Sequence, residues 1–178
     1  MWRGVRGDSY KGEWVKGKPE GYGVHTWPNG DHYEGEFKNC LKHGEGVESF
    51  ANGDKYKGHY INGKPSGYGE YFWGNGSFFK GIFANGLRNG KGVWKKTGGS
   101  NCDRYEGEYQ NDQRWGYGEF TWTSGNVYKG NYEADIRSGY GEMYWVNGSY
   151  YKGEWLRGIQ HGEGAIYIPK EGYKRGLF

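Results

Sequence analysis

The chain has 178 residues and a formal net charge of +3, which fits one domain and is too weakly basic for charge alone to point to nucleic acid. Glycine accounts for 37 residues and aromatics for 20%, and mean hydropathy is -1.08, so an ordinary aliphatic core is excluded. The aromatics also argue against disorder, because they bury the most area per side chain.

In chain order, MWRGVRGDS (1–9) has no apolar run of the signal-peptide kind. It reads as the end of a preceding unit or a cap strand, with Gly7 at its turn. Repetition begins at Tyr10. An aromatic residue followed two places later by glycine starts a unit at Tyr10, Tyr33, Tyr56, Phe79, Tyr105, Tyr128 and Tyr151. A second aromatic stands at the fifth position: Trp14, Phe37, Tyr60, Phe83, Tyr109, Tyr132 and Trp155. A Gly-x-Gly pair follows in each unit, from Gly21 and Gly23 to Gly162 and Gly164. Asn-Gly turns close four units, at Asn29, Asn52, Asn75 and Asn147. Two of these, Asn75-Gly-Ser and Asn147-Gly-Ser, match the glycosylation pattern, but their place in the repeat marks them as turns.

The departures are local. His59 and Ile82 replace a recurrent glutamate, and Cys40, Asp112 and Asp135 replace the mid-loop glycine. The fourth unit is three residues longer, in KKTGGSNCDR, and after Ile168 the pattern slips. The array is read as 10–173, with 174–178 as a tail. Cys40 and Cys102 are far apart and lack metal-ligand spacing, so a reduced, cytoplasmic setting is expected. No stretch approaches the length of a transmembrane helix.

The unit YKGEWVKGKPEGYGVHTWPNGD resembles the MORN repeat, and the resemblance runs through seven copies from residue 10 to 168. It implies a non-enzymatic scaffold of the kind found in ciliary or flagellar axonemes and other cytoskeletal assemblies. It also implies roles at membrane–cytoskeleton junctions. MORN arrays also occur as targeting segments of longer enzymes.

The residues themselves give the fold. Short runs rich in Tyr, Trp, Phe and Val, bounded by Gly, Asn and Asp, predict strands, and nothing shows helical periodicity. Each unit is therefore a β-hairpin. The chain is predicted to be all-β, an elongated, twisted antiparallel meander of about fourteen strands forming a half-pipe with an aromatic groove. At WPNG (27–30), Pro28 favours a three-residue turn with a left-handed Gly30. That register sets Tyr33 opposite His25, Gly35 opposite Gly23 and Phe37 opposite Gly21. Every recurrent residue then falls on one face, which a one-residue slip would scatter.

The starting and fifth-position aromatics are read as core. Trp27, Phe50, Tyr71, Trp73, Trp94, Phe120, Trp122 and Trp145 are candidates for a protein-binding groove, the alternative being that they too are core. The mid-unit loops carry Lys42, Lys64, Arg88, Arg114, Arg137 and Arg157, read as a basic edge for an anionic partner such as a lipid surface or as a solvated edge that discourages strand pairing. No constellation specifies catalysis. The carboxylates recur at structural positions, His43 and His161 fill equivalent loops, and no helix follows the Gly-x-Gly pairs to hold a phosphate. No cofactor, metal or nucleic acid is expected. The expected partner is a helical or extended protein segment in the groove, with self-association through the terminal repeats as a further expectation.

Overall fold

A computed structural model describes residues 1–98 and 102–178. Of the longer segment KKTGGSNCDR in the fourth unit, Gly99, Ser100 and Asn101 lie outside the described residues. The described residues contain no helix, so none is long and apolar enough to cross a membrane. They fall into two compact units, 1–87 and 88–178.

The first unit contains β1 (Trp2–Arg3), β2 (Ser9–Val15), β3 (Lys18–Thr26), β4 (His32–Lys38), β5 (Leu41–Ser49), β6 (Lys55–Ile61), β7 (Lys64–Phe72) and β8 (Phe78–Ala84). The second contains β10 (Arg104–Gln110), β11 (Gln113–Thr121), β12 (Val127–Glu133), β13 (Ile136–Tyr144), β14 (Tyr150–Leu156), β15 (Ile159–Ile168) and β16 (Gly172–Leu177). It also holds all but the first residue of β9 (Leu87–Lys95). Within each unit every strand pairs antiparallel with its sequence neighbours. The two strands beyond the expected hairpins are β1 and β16, which pair with β2 and β15.

The register is the expected one: His25 faces Tyr33, Gly23 faces Gly35 and Gly21 faces Phe37. The turn between β3 and β4 is also the expected one. The Trp27 amide donates to the Asp31 carbonyl at 2.8 Å, the Gly30 amide to the Trp27 carbonyl at 3.0 Å, and Gly30 has φ +94°. The other turn of each repeat has only two residues, both left-handed, as at Asn39 (φ 50°) and Cys40 (φ 69°). This is the geometry whose twist matches the flanking strands.

The core is a ladder of rings. Tyr33 is fully buried and meets Phe37 and Tyr60 edge to face, with centroids 5.1 and 5.2 Å apart. Tyr56 repeats this against Tyr60 and Phe83. In the second unit Tyr105, Tyr128 and Tyr151 do the same, and the last rung is Phe178, 5.0 Å from Tyr151. The glycines make room for these rings, since a Cβ on Gly46 would overlap the Tyr33 ring. The Tyr33 hydroxyl lies over the glycine pair and donates to the Glu36 carbonyl at 2.9 Å.

A bulge shifts the register between Gly35 and Phe37, and between their counterparts in the other hairpins that lie within one unit. The recurrent glutamate serves that bulge: Glu36 accepts the Glu45 amide at 3.1 Å, and Glu13 accepts the Tyr22 amide at 3.2 Å. The opposite face carries cross-strand ion pairs, Lys80–Glu70, Lys129–Glu119 and Lys152–Glu142, at 3.0 to 3.2 Å.

Candidate binding face

The second strand of each hairpin places alternate side chains on the aromatic face. Three rows result. One lies opposite the fifth-position aromatic, where Lys42 faces Phe37 and Arg114 faces Tyr109. One lies opposite the starting aromatic, where Tyr71 faces Tyr56 and Phe120 faces Tyr105. The third stands at the three-residue turn and contains Trp27, Phe50, Trp73, Trp122 and Trp145, each donating its amide across the turn.

All eight proposed groove aromatics are half-buried, and no further layer of the described residues covers them. In the first unit Trp27 lies against His25 at 4.1 Å between centroids, Phe50 against Tyr71 at 6.2 Å, and Tyr71 against Trp73 at 4.9 Å. In the second, Trp94 lies 6.4 Å from Phe120, and Phe120 4.6 Å from Trp122. Trp145 occupies the equivalent turn position two repeats after the Trp94 unit, half-buried like the rest. The turns are tied to one another: Asp31 accepts the Ala51 amide at 2.9 Å and Asp54 the Gly74 amide at 2.8 Å. The Ala51 amide holds the Asp31 carboxyl below the usual range.

The six basic residues do not form one edge. Lys64 begins β7 and Arg157 stands in a turn at φ 52°, both exposed. Lys42, Arg88, Arg114 and Arg137 lie on the aromatic face instead. The reason is the two-residue turn: it is so short that these residues already belong to the strand and point the same way as the aromatic opposite.

Lys42 Nζ lies 5.3 to 5.6 Å from the ring centroids of Trp27, Tyr33 and Tyr60 and pairs with Glu48. Glu48 is buried and also accepts the Tyr60 hydroxyl at 2.9 Å. Burial, then the Glu48 charge, pushes the Tyr60 hydroxyl far above its ordinary value. The sequence reading missed Glu48. Its signal was an acid in a row otherwise filled by rings and, at Met143 and Ile166, apolar chains. The first unit also has a cavity of about 500 Å³ lined by Trp2, Tyr10, Trp14, His25 and Phe37 among others.

The arginines of the second unit sit on rings. Arg88 is 4.9 Å from the Tyr109 centroid, Arg114 is 5.0 Å from Tyr132, and Arg137 is 4.3 Å from Trp155. Burial pushes Tyr109 and Tyr132 up to about 12, against the opposing pull of the neighbouring arginines. Arg88 pairs with Asp112 at 3.0 Å and Arg114 with Asp135 at 2.9 Å. A cavity of about 800 Å³ opens among these residues, with Trp94, Phe120 and Trp122 in its wall. Among the described residues, no group of three or more His, Cys, Asp and Glu could hold a metal ion.

The comparisons with known proteins agree with this geometry. The model of the MORN repeat family matches residues 10–32, 33–55, 56–78, 79–100, 105–127, 128–150 and 151–170. Alsin of Homo sapiens is 46% identical over 44 residues, 25% of this chain and 3% of Alsin, and Alsin of Mus musculus matches equally. The ALS2 C-terminal-like protein of Homo sapiens is 44% identical over 39 residues, 22% of this chain and 4% of that protein. These matches thus span a small fraction of the relatives' length. A solved structure, the SAS-4 (dCPAP) TCP domain in complex with a proline-rich motif of Ana2 (dSTIL) of Drosophila Melanogaster, is similar in fold. Its TM-score is 0.51 at 12% identity, over 89% of this chain and 85% of that one.

Proposed function

The chain belongs to the MORN repeat family, and from that premise we propose that it is a non-enzymatic scaffold whose aromatic face docks a helical or extended segment of a partner protein. The observation that carries the reading is the double row of half-buried rings, Trp27 to Trp73 in one unit and Trp94 to Trp145 in the other, with nothing among the described residues laid over it. Such a surface supplies apolar area, while the arginines and Lys42 between the rings fix orientation. The SAS-4 domain, in complex with a proline-rich motif in its solved structure, gives a precedent on a similar fold for a protein motif as occupant. A ciliary, flagellar or other cytoskeletal assembly in the cytoplasm is the proposed setting, and self-association through terminal strands a proposed accessory.

The test is affinity purification from ciliated cells with the wild type and with Trp73→Ala/Trp122→Ala, after circular dichroism shows that the variant folds. Loss of discrete structural proteins from the variant supports docking; their full retention overturns it.

The second reading is a phospholipid-binding module tethering a membrane to the cytoskeleton. It is favoured by the exposed cations Lys64 and Arg157. Reversing Lys64 and Arg157 to Glu is the clean test by vesicle sedimentation, because Arg88, Arg114 and Arg137 are stacked on core rings and their reversal would disturb the fold. Unchanged sedimentation of the Lys64→Glu/Arg157→Glu variant argues against lipid.

A further inference from the structure

The second unit contains a relay. The Asp112 amide donates to the Arg88 carbonyl at 3.0 Å, the Asp135 amide to the Arg114 carbonyl at 3.0 Å, and the Gly158 amide to the Arg137 carbonyl at 3.0 Å. Each arginine thus meets the turn of the repeat that follows. In two of the three, that turn supplies a carboxylate. Asp112 Oδ1 accepts both the Arg88 amide at 2.8 Å and its Nε at 3.0 Å, while Arg88 Nη2 donates to the Asp112 carbonyl at 2.6 Å. Asp135 does the same for Arg114, at 3.0, 2.9 and 3.0 Å.

The third step differs. Arg137 Nη2 still donates to the Gly158 carbonyl, at 2.8 Å. Gly158 has no side chain, and among the described residues no carboxylate pairs with Arg137. Its guanidinium is half-buried against Trp155 and opens on the cavity shared with Arg114, Phe120 and Trp122. A partly desolvated cation without a counter-charge is costly. Burial already pulls Arg137 below the usual arginine range.

We propose that Arg137 receives an aspartate or glutamate side chain from an extended partner segment, whose apolar neighbours lie on Phe120 and Trp122. This rests on the docking reading above. The geometry favours a carboxylate because the chain itself uses one at the two equivalent positions. A planar carboxylate matches the fork of a guanidinium side-on. The charges agree: three arginines against Asp112 and Asp135 leave one positive charge, and it sits at Arg137.

The experiment selects a phage-displayed library of random linear peptides on the intact chain, on Arg137→Gln and on Gly158→Asp. The second variant gives Arg137 an internal partner and is built to fold. A Cβ at Gly158 would find only Ile136 within ordinary contact, at 3.6 Å. The left-handed backbone there, φ +81°, resembles that borne by Asp112 and Asp135 at φ +68°. Peptides selected on the wild type are expected to carry a fixed Asp or Glu, and synthetic copies with Asn in its place should bind about ten-fold more weakly. Both variants should bind the Asp and Asn peptides alike. Binders without an acidic preference, or a preference that survives in both variants, would sink the inference while leaving docking intact. If no binders emerge and vesicles containing phosphatidylserine sediment the chain, docking and the inference fall together.

Discussion

The two compact units are built on one frame and closed in two ways. In residues 1–87 the Tyr33 hydroxyl donates to the Glu36 carbonyl, and in residues 88–178 Tyr105 donates to the Glu108 carbonyl, at 2.9 and 3.0 Å. Ring ladder, glycine pair and turns coincide. The row opposite the fifth-position aromatic does not. It reads Pro19, Lys42, Pro65 in the first unit and Arg88, Arg114, Arg137, Gln160 in the second. The first unit's one cation in this row, Lys42, is neutralised within its own strand by Glu48. Two of the second unit's three arginines in this row are neutralised from the following turn, Arg88 by Asp112 and Arg114 by Asp135, while Arg137 meets a glycine there. The frame therefore specifies the fold, and the variable row specifies what the face can hold.

The largest effect should come from breaking what the units share. Gly46→Ala in the first and Gly118→Ala in the second would each drive a methyl into a buried tyrosine. Each should cost about 3–4 kcal/mol, equal between units, by urea unfolding. Clearly unequal costs would mean that the frame is not equivalent.

Next is the first unit's own closure. Glu48→Ala leaves Lys42 and the Tyr60 hydroxyl without their buried partner, at a cost of about 3 kcal/mol. Lys42→Met/Glu48→Leu should recover most of it, since an apolar replacement of a buried pair is often neutral. The second unit should respond less. Asp135→Ala removes a pair whose side chains are more exposed, with an expected loss of about 1 kcal/mol. A larger loss than that of Glu48→Ala would reverse the comparison.

The sequence made the shared frame legible and the variable row largely illegible. Tyr33, Gly35 and Phe37 recur at a fixed spacing, and only one register gathers them on one face, so the core and the turn at Pro28-Asn29-Gly30 followed. Arg88 and Arg114 were read as loop cations because nothing local shows that the turn beside them spans just two residues. Asp112 and Asp135 were visible as departures from a mid-loop glycine. Their reason lies 24 and 21 residues upstream, at a distance set by strand pairing. An acid held in a left-handed turn where glycine is usual was the one available signal that a partner was waiting.

The smallest expected difference concerns pH. His25 packs on Trp27 in the first unit, with its Nε2 buried and lacking a hydrogen-bond partner. Burial lowers its pKa below the ordinary 6.5, and Lys42 adds to this while Asp8 opposes it. A histidine whose folded pKa is depressed contributes stability that is fully present above the unfolded pKa. That contribution is lost as pH falls, because the unfolded chain takes up the proton first. The second unit has Phe120 at this place in the row and no such group. Thermal unfolding followed from pH 7.5 to 5 should therefore show a modest loss for the wild type and a smaller one for His25→Phe. The Asp135→Ala variant should keep the wild-type slope, since the histidine is untouched. A slope unchanged by His25→Phe would place the pH response elsewhere and leave the two units alike in this respect.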